Sequence, residues 1–238
     1  MKQKGAIYYQ LNAMKREVGS FYLVIILLLV FMTVFSRVLH AGGFGGMESA
    51  TLICVFVIGC CSFKEDFYFL IQGGVGRKTI LKSQCISYAI LCAGMAMMDT
   101  LLASFATLIN RALDLTAYRP VLVQLYQWED GIFAHIPMNF VILLAAYLML
   151  YSFGYLLAAL SYRGGKAVTI GLSVGLPVGL FVLLPALLEF NVGLAEKLAV
   201  FFVRIGSSFG LTIGILLAGA VLFFGIGGLL QLGAQVKE

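Results

Sequence analysis

The sequence predicts an all-α, multi-pass membrane fold, and three observations carry that prediction. Of 238 residues, 61% are hydrophobic and 11% charged, too apolar for a soluble core that must be wrapped in a polar surface. Several nearly uncharged runs reach the ~20 residues needed to cross a bilayer. The runs are continuous rather than alternating, which favours helices over a barrel. In lipid, only these two structures satisfy every backbone polar group. The predicted spans are six: residues 19–39, 49–63, 83–109, 138–160, 167–188 and 209–230. They form one domain, 19–238, preceded by a segment of different character.

That first segment, residues 1–18, reads as an interfacial helix. Ile7, Leu11, Met14 and Val18 recur at helical spacing beside Lys15 and Arg16, the pattern of a helix lying in the headgroup layer before turning into the first span. A polar tail with chance periodicity is the plainer alternative. The first span lacks a small-residue cleavage site and reads as an anchor rather than a signal peptide. The second span is short on hydropathy alone. Phe67, Phe69 and Leu70 extend its helix toward the interface.

Orientation follows from Lys and Arg. With the N-terminus in the cytoplasm, eleven lie on inside segments and five on outside ones. Both termini are then cytoplasmic. The net charge of +5 is mostly this inside excess, which points to anionic lipid and not to nucleic acid. Two outside segments remain, 111–137 and 189–208. In the first, Tyr118-Arg119-Pro120 reads as a turn, with Tyr118, Tyr126 and Trp128 in the headgroup layer. The second reads as a short amphipathic helix with Leu194, Leu198, Phe201 and Phe202 on one face.

The densest polar stretch is the inside segment 64–82, which holds six of the 27 charged side chains in 19 residues. Glu65 and Asp66 open a short helical piece, where negative charge suits a helix N-terminus. Phe67, Leu70 and Ile71 share a face. Gly73 and Gly74 can end the helix in a left-handed turn. Arg77, Lys78 and Lys82 then lead into the third span. Gly73-Gly74-Val75-Gly76-Arg77-Lys78-Thr79 imitates a phosphate-binding loop, but Arg77 stands where that loop requires glycine before its lysine. An ordinary positive-inside loop would explain the cations. It would not require Phe67, Phe69 and Leu70 in a turn between spans.

The other candidate positions are fewer. Asp99 is the only acid well inside a predicted span, where it costs about 2.5–3.5 kcal/mol on insertion scales. It therefore faces a substrate path or a subunit seam, unless the third span begins early and leaves it near the outer interface. Proton coupling has little support, since no second acid or histidine falls within the spans. Gly171, Gly175 and Gly179 repeat every four residues, a spacing that lets helices approach closely. They mark a helix or subunit interface, or simply ordinary membrane glycine content. Pro177 should kink the fifth span. Cys54, Cys60, Cys61, Cys85 and Cys92 are odd in number and lie in the spans, so they read as small apolar residues rather than disulfides or metal ligands. His40 and His135 are single and sit at outside edges. No catalytic set converges, which leaves an intramembrane enzyme as a weak alternative.

The order Lys64-Glu65-Asp66-Phe67, then Phe69-Leu70-Ile71, then Gly74-Val75-Gly76-Arg77-Lys78-Thr79-Ile80-Leu81-Lys82, between the second and third of six spans, resembles the coupling region of type 2 ABC exporter membrane subunits, Gram-positive members in particular. The resemblance extends to the flat N-terminal helix, the span count and the outside helix before the last span. Gly74-Val75-Gly76 departs from the proline and serine common at that point. The resemblance implies a permease of a bacterial cytoplasmic membrane, paired with a second copy of itself. It implies a separate ATPase subunit, carrying ATP and Mg, docked at Glu65, Asp66, Phe67, Phe69, Arg77 and Lys78. The chain itself would bind no cofactor and would not be an enzyme. Walls of Phe, Leu, Met and Gly suit an amphipathic or hydrophobic cargo: a peptide toxin or antimicrobial peptide first, a drug or lipid otherwise. A secondary transporter or channel without an ATPase is the alternative.

Overall fold

A computed structural model of the chain describes residues 2–39, 44–112, 118–126, 132–179 and 208–233, with scattered positions between 182 and 206. The fold is all-α. The main helices are α1 (Lys2–Leu39), α2 (Met47–Gln72), α3 (Arg77–Ala112), the short α4 (Val121–Tyr126), α5 (Ile136–Val178) and α6 (Phe209–Leu232). Two-residue strands, β1 (Phe44–Gly45) and β2 (Tyr118–Arg119), pair in parallel, Phe44 opposite Tyr118. Among the described residues five helical stretches are long and apolar enough to cross a membrane. Their outward side chains agree: Leu23, Leu27, Phe31 and Val34 on α1, and Val221 and Leu229 on α6, are exposed apolar groups, a surface that only lipid or another apolar partner suits.

The N-terminal segment is continuous with the first span. α1 is one helix of 38 residues, about 57 Å at 1.5 Å per residue, against a hydrocarbon core of about 30 Å. No turn separates residues 1–18 from the span at 19–39. The expected fourth span and the first half of the fifth fall on α5, which breaks at Gly165 (φ 75°, ψ −167°), a conformation open essentially to glycine alone; most of the rest of the fifth lies outside the described residues. Most of the expected outside helix at 189–208 lies outside the described residues, as does Trp128.

Helix packing is set by glycines other than the predicted ones. α2 and α5 cross where Gly59 faces Tyr151 and Gly154 faces Phe56. A Cβ on either glycine would stand 2.6 Å from the opposing carbonyl oxygen. α6 closes on α5 and α3 through Gly227, against the Tyr155 ring, and Gly228, against Leu81. Gly171, Gly175 and Gly179 have no neighbouring atom within reach of a Cβ, so among the described residues this stripe packs against nothing.

The core is aromatic. Phe63, Phe67, Tyr88, Tyr147, Tyr151 and Tyr155 are buried. Tyr88 stacks on Tyr151 with centroids 3.9 Å apart, and Phe63 packs against Phe67, Tyr155 and Tyr162. Offset ring pairs of this kind are worth roughly 0.5–1.5 kcal/mol beyond area burial. In lipid such packing must hold the helices together, because apolar surface gains little by leaving a hydrocarbon solvent.

Candidate functional site

Two polar regions stand out, one at each end of the bundle. The first is the predicted elbow. α2 does not stop at Phe63 and restart at Glu65; it runs unbroken to Gln72. Its helical period therefore decides which side chains are available. Phe63, Asp66, Phe67 and Leu70 turn into the bundle, while Tyr68 and Phe69 turn out. Phe67 is 0% exposed, packed on Phe63 and Tyr162. Asp66 is 5% exposed and accepts a 2.9 Å hydrogen bond from the Tyr88 hydroxyl. Both are part of the core rather than of the elbow's exposed surface. Nor does Asp66 cap a helix start, since it lies well inside α2. The Glu65 side chain lies outside the described residues.

The turn itself is tightly built. Gly74 takes φ +69°. Its N–H bonds the Ile71 carbonyl at 2.9 Å, and the Val75 N–H bonds the Leu70 carbonyl at 3.0 Å. This is a Schellman cap with glycine in the left-handed position. Val75 adds the apolar contact such caps carry, packing near Leu70, Ile80 and Ala6. The N–H groups of Thr79 and Ile80 then bond the Gly76 carbonyl at the start of α3. Tyr9 of α1 stacks on Phe69, centroids 4.2 Å apart.

Arg77 has an internal task. Its guanidinium donates to the Leu232 carbonyl at 3.1 Å, so it caps α6, where a cation also suits the helix dipole. The ends of α1, α2, α3 and α6 are thereby tied together at the elbow, and the first and last described residues lie at this end. What remains on the outside is an exposed edge. Phe69 is 52% exposed, Tyr68 is partly exposed, and Lys78 and Lys82 are exposed.

A polar network backs the elbow from within. Ser87 donates to Gln10 at 2.9 Å, and the Tyr155 hydroxyl lies between Gln84 and Gln231. A hydroxyl donates only once, so one of the two amides must turn its NH2 toward the tyrosine oxygen. α1, α3, α5 and α6 all contribute.

The second region lies at the opposite end, beside the β1–β2 pair. Asp99 is 5% exposed, inside the protein rather than at an interface. It accepts a hydrogen bond from the Tyr147 hydroxyl, and Tyr22 and Thr51 stand beside it. Glu48 is 3% exposed, in the first turn of α2. Glu48 lies just before the predicted second span, yet the fold brings it to Asp99: the two line one small cavity with Tyr118 and apolar side chains of α1, α2 and α3. Tyr118 is buried against Glu48 and faces the protein rather than outward. Burial pushes its hydroxyl far up, so it stays protonated.

Sequence reasoning passed over Glu48 and the tyrosines. Glu48 gave no signal, because an acid at the edge of a hydropathy window reads as solvated. Tyr147, Tyr151 and Tyr155 did give one: they recur every four residues, and hence share one face of α5.

Comparison with protein-family models, curated proteins and solved structures returns no match. What fold and sites define is an all-α polytopic protein with one braced, partly aromatic turn and one buried acidic cavity.

Proposed function

We propose that this chain is the permease subunit of an ATP-driven exporter of the type 2 ABC kind, and that a separate cytoplasmic ATPase docks on the elbow. The observation that carries this reading is the contrast at the turn. Phe69, Tyr68, Lys78 and Lys82 offer an exposed aromatic and basic edge, while the turn beneath is fixed by the Gly74 cap and by the Arg77 bond to Leu232. A docking surface that receives force needs both properties. A load applied at Phe69 reaches α1 through Tyr9, and one applied at the base of α3 reaches α6 through Arg77.

In this reading the docking residues are Phe69 and Lys78, joined by Tyr68 and Lys82. Arg77 holds the elbow's shape. Two copies of the chain form the path, and the stripe of Gly171, Gly175 and Gly179, which meets no neighbouring atom, is the candidate seam. The membrane is a bacterial cytoplasmic membrane with both termini inside. The cargo is amphipathic or hydrophobic, a peptide toxin or antimicrobial peptide before a drug or lipid. The reading is tested by placing a photo-crosslinking amino acid at Phe69 or Lys78 in living cells. An ATPase subunit should be captured from both positions and not from Leu229 on the lipid face. Equal capture from all three, or none from any, would sink it.

A second reading, a secondary transporter without an ATPase, is favoured by one observation: the paired buried acids Glu48 and Asp99. Transport that persists without ATP but follows an ion gradient would select it.

A further inference from the structure

The cavity beside Glu48 and Asp99 has about 10 Å³ open to the centre of a water molecule, room for one water at most. Both acids line it, together with Tyr118; the other lining groups are apolar, and no Lys, Arg or His is among them. The ionisable groups that face the acids are Tyr22 from α1, Cys54 from α2, Tyr118 from β2 and Tyr147 from α5. Among the described residues these groups include no cation. Two buried carboxylates without a cation would each carry a heavy desolvation cost, and their mutual repulsion adds to that.

The two acids differ in what they are offered. Asp99 receives the Tyr147 hydroxyl, a donor that stabilises an anion. The Tyr118 hydroxyl and the Val121 N–H stand near Glu48, but neither Glu48 oxygen has a partner in hydrogen-bond geometry, and nor does the Thr51 hydroxyl. A buried ionised carboxylate without a well-formed donor bond is the costlier arrangement. A carboxylic acid instead carries its own O–H and can offer it to a single water in the cavity.

We infer that Glu48 and Asp99 form a proton-binding pair in which Glu48 holds the proton and Asp99 the charge. The proton comes from water and returns to it, with no other reactant. Because the pair sits where α1, α2, α3 and α5 meet, proton release would place two like charges between helices that must otherwise stay packed. The inference is independent of ATPase docking, which belongs to the other end of the molecule.

The test is infrared difference spectroscopy of the full chain in lipid nanodiscs at neutral pH. Wild type should show a neutral carboxyl band that shifts when glutamate is carbon-13 labelled and does not shift when aspartate is. Glu48→Gln should lose the band. Asp99→Asn should keep it. Absence of the band in wild type would overturn the inference, as would a band that moves with labelled aspartate or survives in Glu48→Gln. Should Glu48→Gln fail to fold, the labelling result on wild type still decides. A sodium titration at constant ionic strength completes the test. If sodium removes the band in wild type, the site holds a metal cation and the proton assignment falls.

Discussion

Gly154→Ala is the sharpest test of the packing. A methyl carbon there would stand 2.6 Å from the Phe56 carbonyl oxygen and 3.1 Å from the Cys60 nitrogen. Ordinary contact begins near 3.4 Å, so α2 and α5 must part by about 0.8 Å. Backbone atoms of a helix cannot yield as a flexible side chain would. Moving the helices apart also loosens the rings of Phe56 and Phe153, stacked across the same joint at 5.9 Å. Overpacking of this kind costs about 1–3 kcal/mol, and lipid supplies no hydrophobic drive to offset it. Thermal or denaturant unfolding in nanodiscs would read the loss. Gly171→Ala is the control: its Cβ meets nothing, and alanine favours a helix over glycine by up to about 1 kcal/mol. It should leave stability unchanged or slightly higher. If Gly154→Ala proves as harmless as Gly171→Ala, the α2–α5 crossing is wrongly placed.

Five further substitutions probe the turn, the core and the seam. Gly74→Ala forces a Cβ into a left-handed turn at φ +69° and should cost about 1–2 kcal/mol, read by unfolding and by faster hydrogen exchange at Val75. Tyr88→Phe removes the hydroxyl that Asp66 accepts and should cost about 1–3 kcal/mol, whereas Asp66→Asn keeps an acceptor and should cost less; equal losses would discount the bond. Arg77→Ala uncaps α6 at Leu232 and should speed hydrogen exchange in the last turn of α6, with a global loss of no more than about 1 kcal/mol, since the pair is exposed. Gly175→Leu should weaken self-association, measured by energy transfer between labelled copies, without lowering unfolding stability; unaltered association would remove the stripe as a seam.

Much of the fold was legible because its signals are local. Hydropathy located the apolar stretches. Phe67, Phe69 and Leu70 were enough to carry α2 past the end of its hydropathy peak, and Gly73-Gly74 marked its stop. The misreadings share one cause: they depend on what lies across the bundle. Glu65 and Asp66 look like a helix start only if the helix before them has ended. Once α2 is continuous, its period turns Asp66 and Phe67 inward to Tyr88 and Tyr162. Gly59 and Gly154 form no repeat, so nothing in the chain ranks them above Gly171, Gly175 and Gly179, which do repeat but meet no other described helix of the chain. Glu48 is buried by the pairing of Phe44 with Tyr118, a contact 74 residues long in sequence that no window could reveal.

The elbow as the place where an ATPase subunit binds is the central claim. The direct measurement is the affinity of the proposed ATPase subunit for the chain held in nanodiscs, compared across Phe69→Ala, Lys78→Glu and the lipid-facing Leu229→Ala. Exposed aromatic and basic residues at the centre of an interface are expected to cost about 1–2 kcal/mol or more when lost, roughly 5- to 30-fold in Kd. Phe69→Ala and Lys78→Glu should each show a loss of that size, and Leu229→Ala an unchanged affinity. An ATPase that does not bind wild type, or that binds all three variants equally, would contradict the claim.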